Sequence, residues 1–471
     1  MGRMGLVECV TSEAVKADGS RRVAVYPNLP IIHSKRCFLN GSRGTTMFVS
    51  EHRKPSAKKH DHALLFVTTL LAGIACWAWA AEVVPPEKIQ WKKIVLDRKF
   101  RAEGVAVADV NRDGKLDVLN GEYWYEAPDW IPHEMQPPAD FKDGLTNYSR
   151  VFACWSDDLN ADGFPDLIVI DFPGTPCYWM ENPKGQSRLE GKPLHWKKHQ
   201  IWHSACNETP QYVDLLGTGR RVLVMGWQPK GKENEGQMAY FTPDPKDPYA
   251  PWIMHPISPP SQPGKPIPGT HRFSHGLGVG DVNGDGRLDV ICTAGWWEQP
   301  PQPDGQTPWT FHPAPLGEAC ADMFAWDIDG DGLNDILSTS AHKFGIWWHK
   351  QRRDPKKGAS SWTTHTLFGM LVSETHAAHL TDIDGDGLPD LVTGKRWWSH
   401  GKAEPGSSWN AAIYWFKATR QPDKVISFHP YLIDSDSGIG TQFAVTDING
   451  DGLKDIITSN KKGVFVILQQ R

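Results

Sequence analysis

Residues 281–289 read DVNGDGRLD, and the pattern recurs as DVNRDGKLD from Asp109, DLNADGFPD from Asp158, DIDGDGLND from Asp327, DIDGDGLPD from Asp382 and DINGDGLKD from Asp447. A further, eroded copy, DLLGTGRRV, starts at Asp214. Each copy follows an apolar stretch and precedes a β-rich one such as LDVICTA or PDLIVI, so these are loops between strands. A sequence repeated at this period is an array of like supersecondary units.

Two more elements recur between the loops. Trp-x-x-His followed by an apolar residue appears from Trp130, Trp196, Trp252, Trp309 and Trp362, with ISFHPYL from Ile426 as a sixth version. Aromatic stretches, among them EYWYEAP, YWMENP and GWWEQP, follow most loops closely. Each unit therefore reads as an inner strand, acidic loop, second strand, aromatic strand and Trp-x-x-His strand. Seven such units predict an all-β fold, a seven-bladed β-propeller of four-stranded antiparallel blades. The last unit stops at Arg471 without an outer strand, whereas WKKIVL from Trp91 precedes the first loop. A strand at 90–96 is expected to close the last blade, which ties the ends of the ring together. Loop spacings of 49, 56 and 67 residues are followed by 46, 55 and 65, the trace of a duplicated three-blade unit with one blade appended.

The loop chemistry is that of a hard cation. Oxygens stand at positions 1, 3, 5 and 9, a backbone carbonyl is available at position 7, and glycine at position 6 permits the sharp turn. The expected ligands are Asp109, Asn111, Asp113 and Asp117; Asp158, Asn160, Asp162 and Asp166; Asp281, Asn283, Asp285 and Asp289; Asp327, Asp329, Asp331 and Asp335; Asp382, Asp384, Asp386 and Asp390; and Asp447, Asn449, Asp451 and Asp455. These would be up to six structural Ca²⁺ sites. The copy at Asp214 should be empty, because Leu216, Thr218 and Val222 replace ligands. The loops are not EF-hands: Cys292 stands where the bidentate Glu of position 12 would be, and the flanks are strands.

The loops, the strands after them and the WYEAP, WMENP and WWEQP elements resemble FG-GAP or VCBS-type repeats, as in integrin α-chain propellers and many secreted bacterial proteins. The resemblance covers residues 88–471 and implies a calcium-binding propeller. It spans adhesion, carbohydrate lyases and scaffolds, so it leaves function open.

The bulk numbers agree with an ordinary soluble chain: 471 residues, 39% hydrophobic, with a formal charge of -5 that gives no reason to expect nucleic-acid binding. With 22 Trp, 44 Gly and 37 Pro, short strands and turns are favoured over long helices. Residues 63–80, ALLFVTTLLAGIACWAWA, follow the basic stretch RKPSAKKH and end in Ala78-Trp79-Ala80, the small-x-small pattern of a signal-peptidase site. The domain reading is therefore 1–46 untranslated or disordered, with Met47 as the start; 47–80 signal peptide; 81–89 linker; and 90–471 propeller. Cleavage would leave no stable membrane span and place the protein outside the cell, in the periplasm or on the surface. Left uncleaved, the run is just long enough to be an anchor. The remaining cysteines, Cys154, Cys177, Cys206, Cys292 and Cys320, show neither zinc spacing nor a disulfide framework, and small buried residues are the default reading.

Chemistry, if present, should sit where the inner strands enter the channel. Six residues before each loop lie Glu103, Phe152, Glu208, His275, Ala321, His376 and Thr441; Asp322 is one residue on, while Arg101, Arg150 and Glu374 lie two residues earlier in their units. His275 and His376 are the candidate catalytic residues, and Glu103, Arg150, Glu208, Asp322 and Glu374 the candidate substrate-binding ones. Two His with two Glu could also hold a second divalent metal there. Convergent polar groups rimmed by aromatics suit a carbohydrate or other cell-surface ligand. The propeller domain of aldos-2-ulose dehydratase resembles this architecture, and that likeness implies a lyase or dehydratase performing β-elimination on an oxidised sugar. The alternative is a non-catalytic adhesive or protein-interaction scaffold. The Trp-x-x-His histidines recur too far apart for one site and are expected to pack.

Overall fold

The computed structural model describes residues 86–232, 235–354 and 360–471. The expected signal segment and residues 1–46 lie outside them. The described residues are all-β with essentially no helix; a single 3-10 turn, Pro86–Lys88, precedes the first strand.

The loop and the Trp-x-x-His element bracket each sheet as the repeat predicts. The first sheet runs Ala106–Ala108, Asp117–Leu119, Tyr123–Glu126 and Ile131–Glu134 in chain order from inside to edge. The Trp-x-x-His strands all occupy sheet edges. Gln90–Asp97 pairs antiparallel with Gly463–Gln470 and completes the sheet of Phe443–Thr446 and Asp455–Asn460. A two-stranded hairpin, Arg188–Leu189 with Lys192–Pro193, is an addition the repeat does not announce.

The second strands are apolar without alternation because both of their faces are covered. Asp166–Ile170, Asp390–Gly394 and Asp455–Asn460 are buried at every residue. One core cluster joins the first sheet to the second through Trp124, Leu167 and Trp196; another joins the last sheet to the first through Val118, Tyr125, Ile457 and Val466. Burying an aromatic on each seam contributes about 1.5–3 kcal/mol, so each seam is an apolar core of its own. The backbone at the Trp that opens an edge strand ties it to the preceding sheet: the main-chain N–H of Trp196 donates to Met135 O at 2.8 Å, and that of Trp309 to Ile257 O at 2.8 Å.

The arrangement is propeller-like, but the expectation of seven separate blades is met only in part. Five four-stranded sheets stand apart and, the added hairpin aside, the remaining eight described strands form one sheet. Its halves meet where Leu277–Gly280 pairs in parallel with Cys320–Trp326 through Leu277 and Asp322, and Gly278 and Met323. Gly278 is the physical reason, since a Cβ there would stand 2.1 Å from Met323 O. Gly440 does the same at the ring closure: a Cβ would lie 1.9 Å from Glu103 O, which instead accepts the Thr441 N–H at 2.9 Å.

Candidate functional site

The acidic loops take the shape their sequence dictates. Asp281 accepts N–H groups of Gly284, Asp285 and Gly286 at 2.7, 3.1 and 2.9 Å, and Asn283 Oδ1 accepts that of Asp285 at 3.0 Å. The ninth-position aspartates are fully buried in all six intact loops. Asp289 braces two strands, accepting the N–H of Val282 at 2.9 Å and that of Gln299 at 3.0 Å. Burial, with repulsion from the other loop carboxylates, pushes Asp117, Asp166 and Asp289 up to about 7. In the two loops with Asp at position 3, oxygens of Asp327, Asp329 and Asp335, and of Asp382, Asp384 and Asp390, lie within 4.8 Å of one another. Crowded, buried carboxylate oxygens of this kind fit a Ca²⁺ ion. The eroded copy keeps only the turn, with Asp214 accepting from Thr218 and Gly219, and buries Val222 in place of the ninth aspartate.

The aromatic strand explains the rest of its motif. The residue beside position 3 is Glu in three of the four loops where that position is Asn, and Leu468 in the fourth: Asn111 Nδ2 donates to Glu126 at 3.0 Å, and Asn283 Nδ2 to Glu298 at 3.3 Å. It is Lys when position 3 is Asp, as Lys350 meets Asp329 and Lys417 meets Asp384. The ammonium offsets the extra carboxylate. The next residue clamps the preceding sheet: Gln299 Nε2 reaches Leu215 O at 2.7 Å, and Asn182 Nδ2 reaches Val110 O at 3.0 Å. The outer histidines belong to the same bracing. His133, His199 and His312 bond Glu126, Glu181 and Glu298 at 2.7–2.8 Å and stack on Trp124, Trp179 and Trp296.

At the other ends of the inner strands, contacts cross the ring. Thr209 Oγ1 donates to Thr441 O at 2.7 Å, and Gln211 Nε2 donates to Asp322 at 2.8 Å. Glu103, Glu208, His275 and His376 come together here. Arg396, 1% exposed, donates to Glu103 Oε1 at 2.6 Å and Glu208 Oε2 at 3.0 Å. Burial pushes Glu208 up, but His275, His376 and Arg396 outweigh it and hold the carboxyl well below its ordinary range. Burial, with Arg396, pushes His376 down to about 3, so that ring is neutral. Asp322 is a strut rather than a free acid; it also accepts the Ala378 N–H at 2.9 Å, and burial raises it to about 6. Arg150 turns away to Glu122 at 2.6 Å and Glu374 is tied to buried Lys395, so neither joins the cluster.

Arg396, Lys395, Lys461 and His342 were missed because they lie in turns between second and third strands. Basic residues in TSAHKF, TGKRW and TSNKK, at one recurrent place in the unit, were the available signal. Lys461 donates to Trp398 O at 2.8 Å and covers the Tyr148 ring at 4.4 Å; burial lowers it to about 8. Tyr148, Phe152, Phe172 and Phe273 form an aromatic run beside Arg396. Beyond it a cavity of about 440 Å³ is lined by His203, Lys230, Lys232 and Arg272 among others.

Comparison with known families settles the repeat. Residues 327–393 match the FG-GAP-like repeat and residues 273–306 the FG-GAP repeat. The chain contains FG-GAP repeats. No curated protein matches the chain. Among solved structures, the V. cholerae biofilm matrix protein Bap1 is similar at 16% identity and a TM-score of 0.29, over 64% of this chain and 42% of that one. The FG-GAP chain thus spans less than half the length of that neighbour. Among the described residues no helix is long and apolar enough to cross a membrane.

Proposed function

We propose that this FG-GAP protein is an exported, calcium-stabilised seven-bladed propeller that serves as an adhesive or protein-interaction scaffold. The eight-stranded sheet counts as two blades in this reading, because a core cluster of Ile291, Trp296, Met323 and Ile336 lies between its halves as one does between separate sheets. One observation favours a scaffold over carbohydrate processing. The carboxylates expected to bind substrate beside the candidate catalytic histidines are engaged: Glu103 and Glu208 by Arg396, Glu374 by Lys395, and Asp322 by Gln211 and a backbone N–H. A general acid or base must be able to reach substrate and exchange a proton. These groups brace the ring instead.

The face that would meet a partner is the channel-mouth side. Its basic cavity, with exposed Phe273 alongside, suits an anionic carbohydrate or other acidic surface group. Binding of the full chain to an immobilised acidic polysaccharide, followed by biolayer interferometry, tests this. The Lys230→Glu/Lys232→Glu variant should lose retention, whereas Arg150→Ala should keep it. Release of an unsaturated sugar product by wild type, abolished in His376→Ala, would favour the enzyme reading and end this one.

A further inference from the structure

One cluster at the mouth is not braced. His275 precedes Leu277–Gly280, His376 precedes Ala378–Thr381, and His342 lies in the turn between Asp335–Ser340 and Phe344–Arg353. The Nε2 atom of His275 stands 3.0 Å from that of His376 and 3.0 Å from that of His342. It is also 3.5 Å from Glu208 Oε1, while His376 Nε2 is 3.1 Å from Glu208 Oε2. An imidazole nitrogen carries one proton or one lone pair, never more. One proton on His275 cannot serve three converging partners, and when all three rings carry their protons on Nδ1 three Nε2 lone pairs converge.

A cation resolves the conflict by accepting all three lone pairs. Nitrogens about 2.0–2.1 Å from a zinc-type ion stand roughly 3.0–3.4 Å apart, depending on coordination geometry; the two edges at His275 are 3.0 Å, and the three ligand atoms all lie within 4.8 Å of one another. Glu103 and Glu208 outnumber Arg396 in charge, so the cluster has room for positive charge. Nitrogen donors select borderline transition metals, whereas the oxygen loops select Ca²⁺. His342 Nδ1 lies 3.5 Å from Glu404 Oε1 without a hydrogen bond between them, so that carboxylate is near the ring but does not orient it.

We propose that His275, His342 and His376 bind one zinc-type divalent cation through their Nε2 atoms, with Glu208 beside them as the charge partner. His342 keeps 17% of its side-chain exposure, so solvent reaches the site and a further position is open to water or an oxygen donor. The site is independent of the scaffold role: a protein that binds no partner would still take up the metal.

The test uses the full chain in excess Ca²⁺, titrated with Co²⁺ and read by visible absorption. Wild type should bind one equivalent with a low-coordinate d–d band that Zn²⁺ displaces. His342→Ala should weaken binding by more than the roughly 10–100-fold that loss of an outer-shell partner costs. His376→Ala should abolish the band, and His400→Ala should keep it. His400 and Glu404 form a competing group with His342. Loss of the band in His400→Ala with retention in His376→Ala would therefore overturn the assignment, as would no band in wild type or an unchanged one in His342→Ala. If His376→Ala fails to fold by circular dichroism, the solvent-reachable His342→Ala variant decides alone.

Discussion

Replacing Arg396 by Met removes the one cation shared by Glu103 and Glu208. Both carboxylates are buried, at 1% and 4% exposure, and the guanidinium meets them at 2.6 and 3.0 Å. Breaking a buried pair by deleting one partner costs about 3–5 kcal/mol, because the other charge stays buried. At about 2.1 cal/mol/K of unfolding entropy per residue, a propeller covering residues 90–471 loses about 1.2 °C for each kcal/mol, so Tm should fall by about 4–6 °C. Differential scanning calorimetry in saturating Ca²⁺ measures this. Adding Glu103→Gln and Glu208→Gln should recover most of the loss, since the charges go with the cation. The pH dependence has a definite sign. Glu208 is depressed in the fold, so it contributes stability that is present above its ordinary 4.5 and lost as pH falls through the lower native value. Arg396→Met should move that loss to higher pH. A Tm within about 1 °C of wild type would refute the reasoning, since a buried pair cannot be broken so cheaply.

Three further outcomes follow from the bracing. Gln299→Ala leaves Leu215 O and Leu288 O without their donor, so unfolding by urea should show a loss of about 1–3 kcal/mol with m unchanged. Lys417→Met leaves the extra carboxylate of its loop uncompensated, so the gap in Tm between calcium-loaded and chelated protein should widen; an equal gap would exclude the lysine from the loop's charge balance. Asp322 is raised to about 6 in the fold, so it erodes stability as pH rises from its ordinary 3.8 through 6, and Asp322→Asn should flatten that slope in denaturant titrations.

The ring was legible because each unit is marked at both ends. The Asp-Gly loop ends the inner strand, and the Trp-x-x-His element marks the edge. Even the displaced strand expected at 90–96 is found at Gln90–Asp97. What stayed hidden depends on close approach rather than pattern. The merging of two sheets rests on the missing Cβ of Gly278, which in sequence looks like any other inner-strand glycine. At the mouth, counting back from each loop found Glu103, Glu208, His275 and His376. It could not find Arg396, 293 residues from the Glu103 it binds, because counting back from the loops never reaches the turn after the second strand, which only its recurrent basic residues mark. The same blindness placed Arg150 at the site, when Glu122 draws it aside.

The claim that the acidic loops hold the propeller together through Ca²⁺ is tested most directly by thermal unfolding of the full chain. Ca²⁺-loaded protein should be compared with protein treated with excess EDTA, at matched ionic strength. The account predicts a marked fall in Tm on chelation, reversed by added Ca²⁺, because six buried ninth-position aspartates and their neighbours then repel without an ion between them. An unchanged Tm would contradict it.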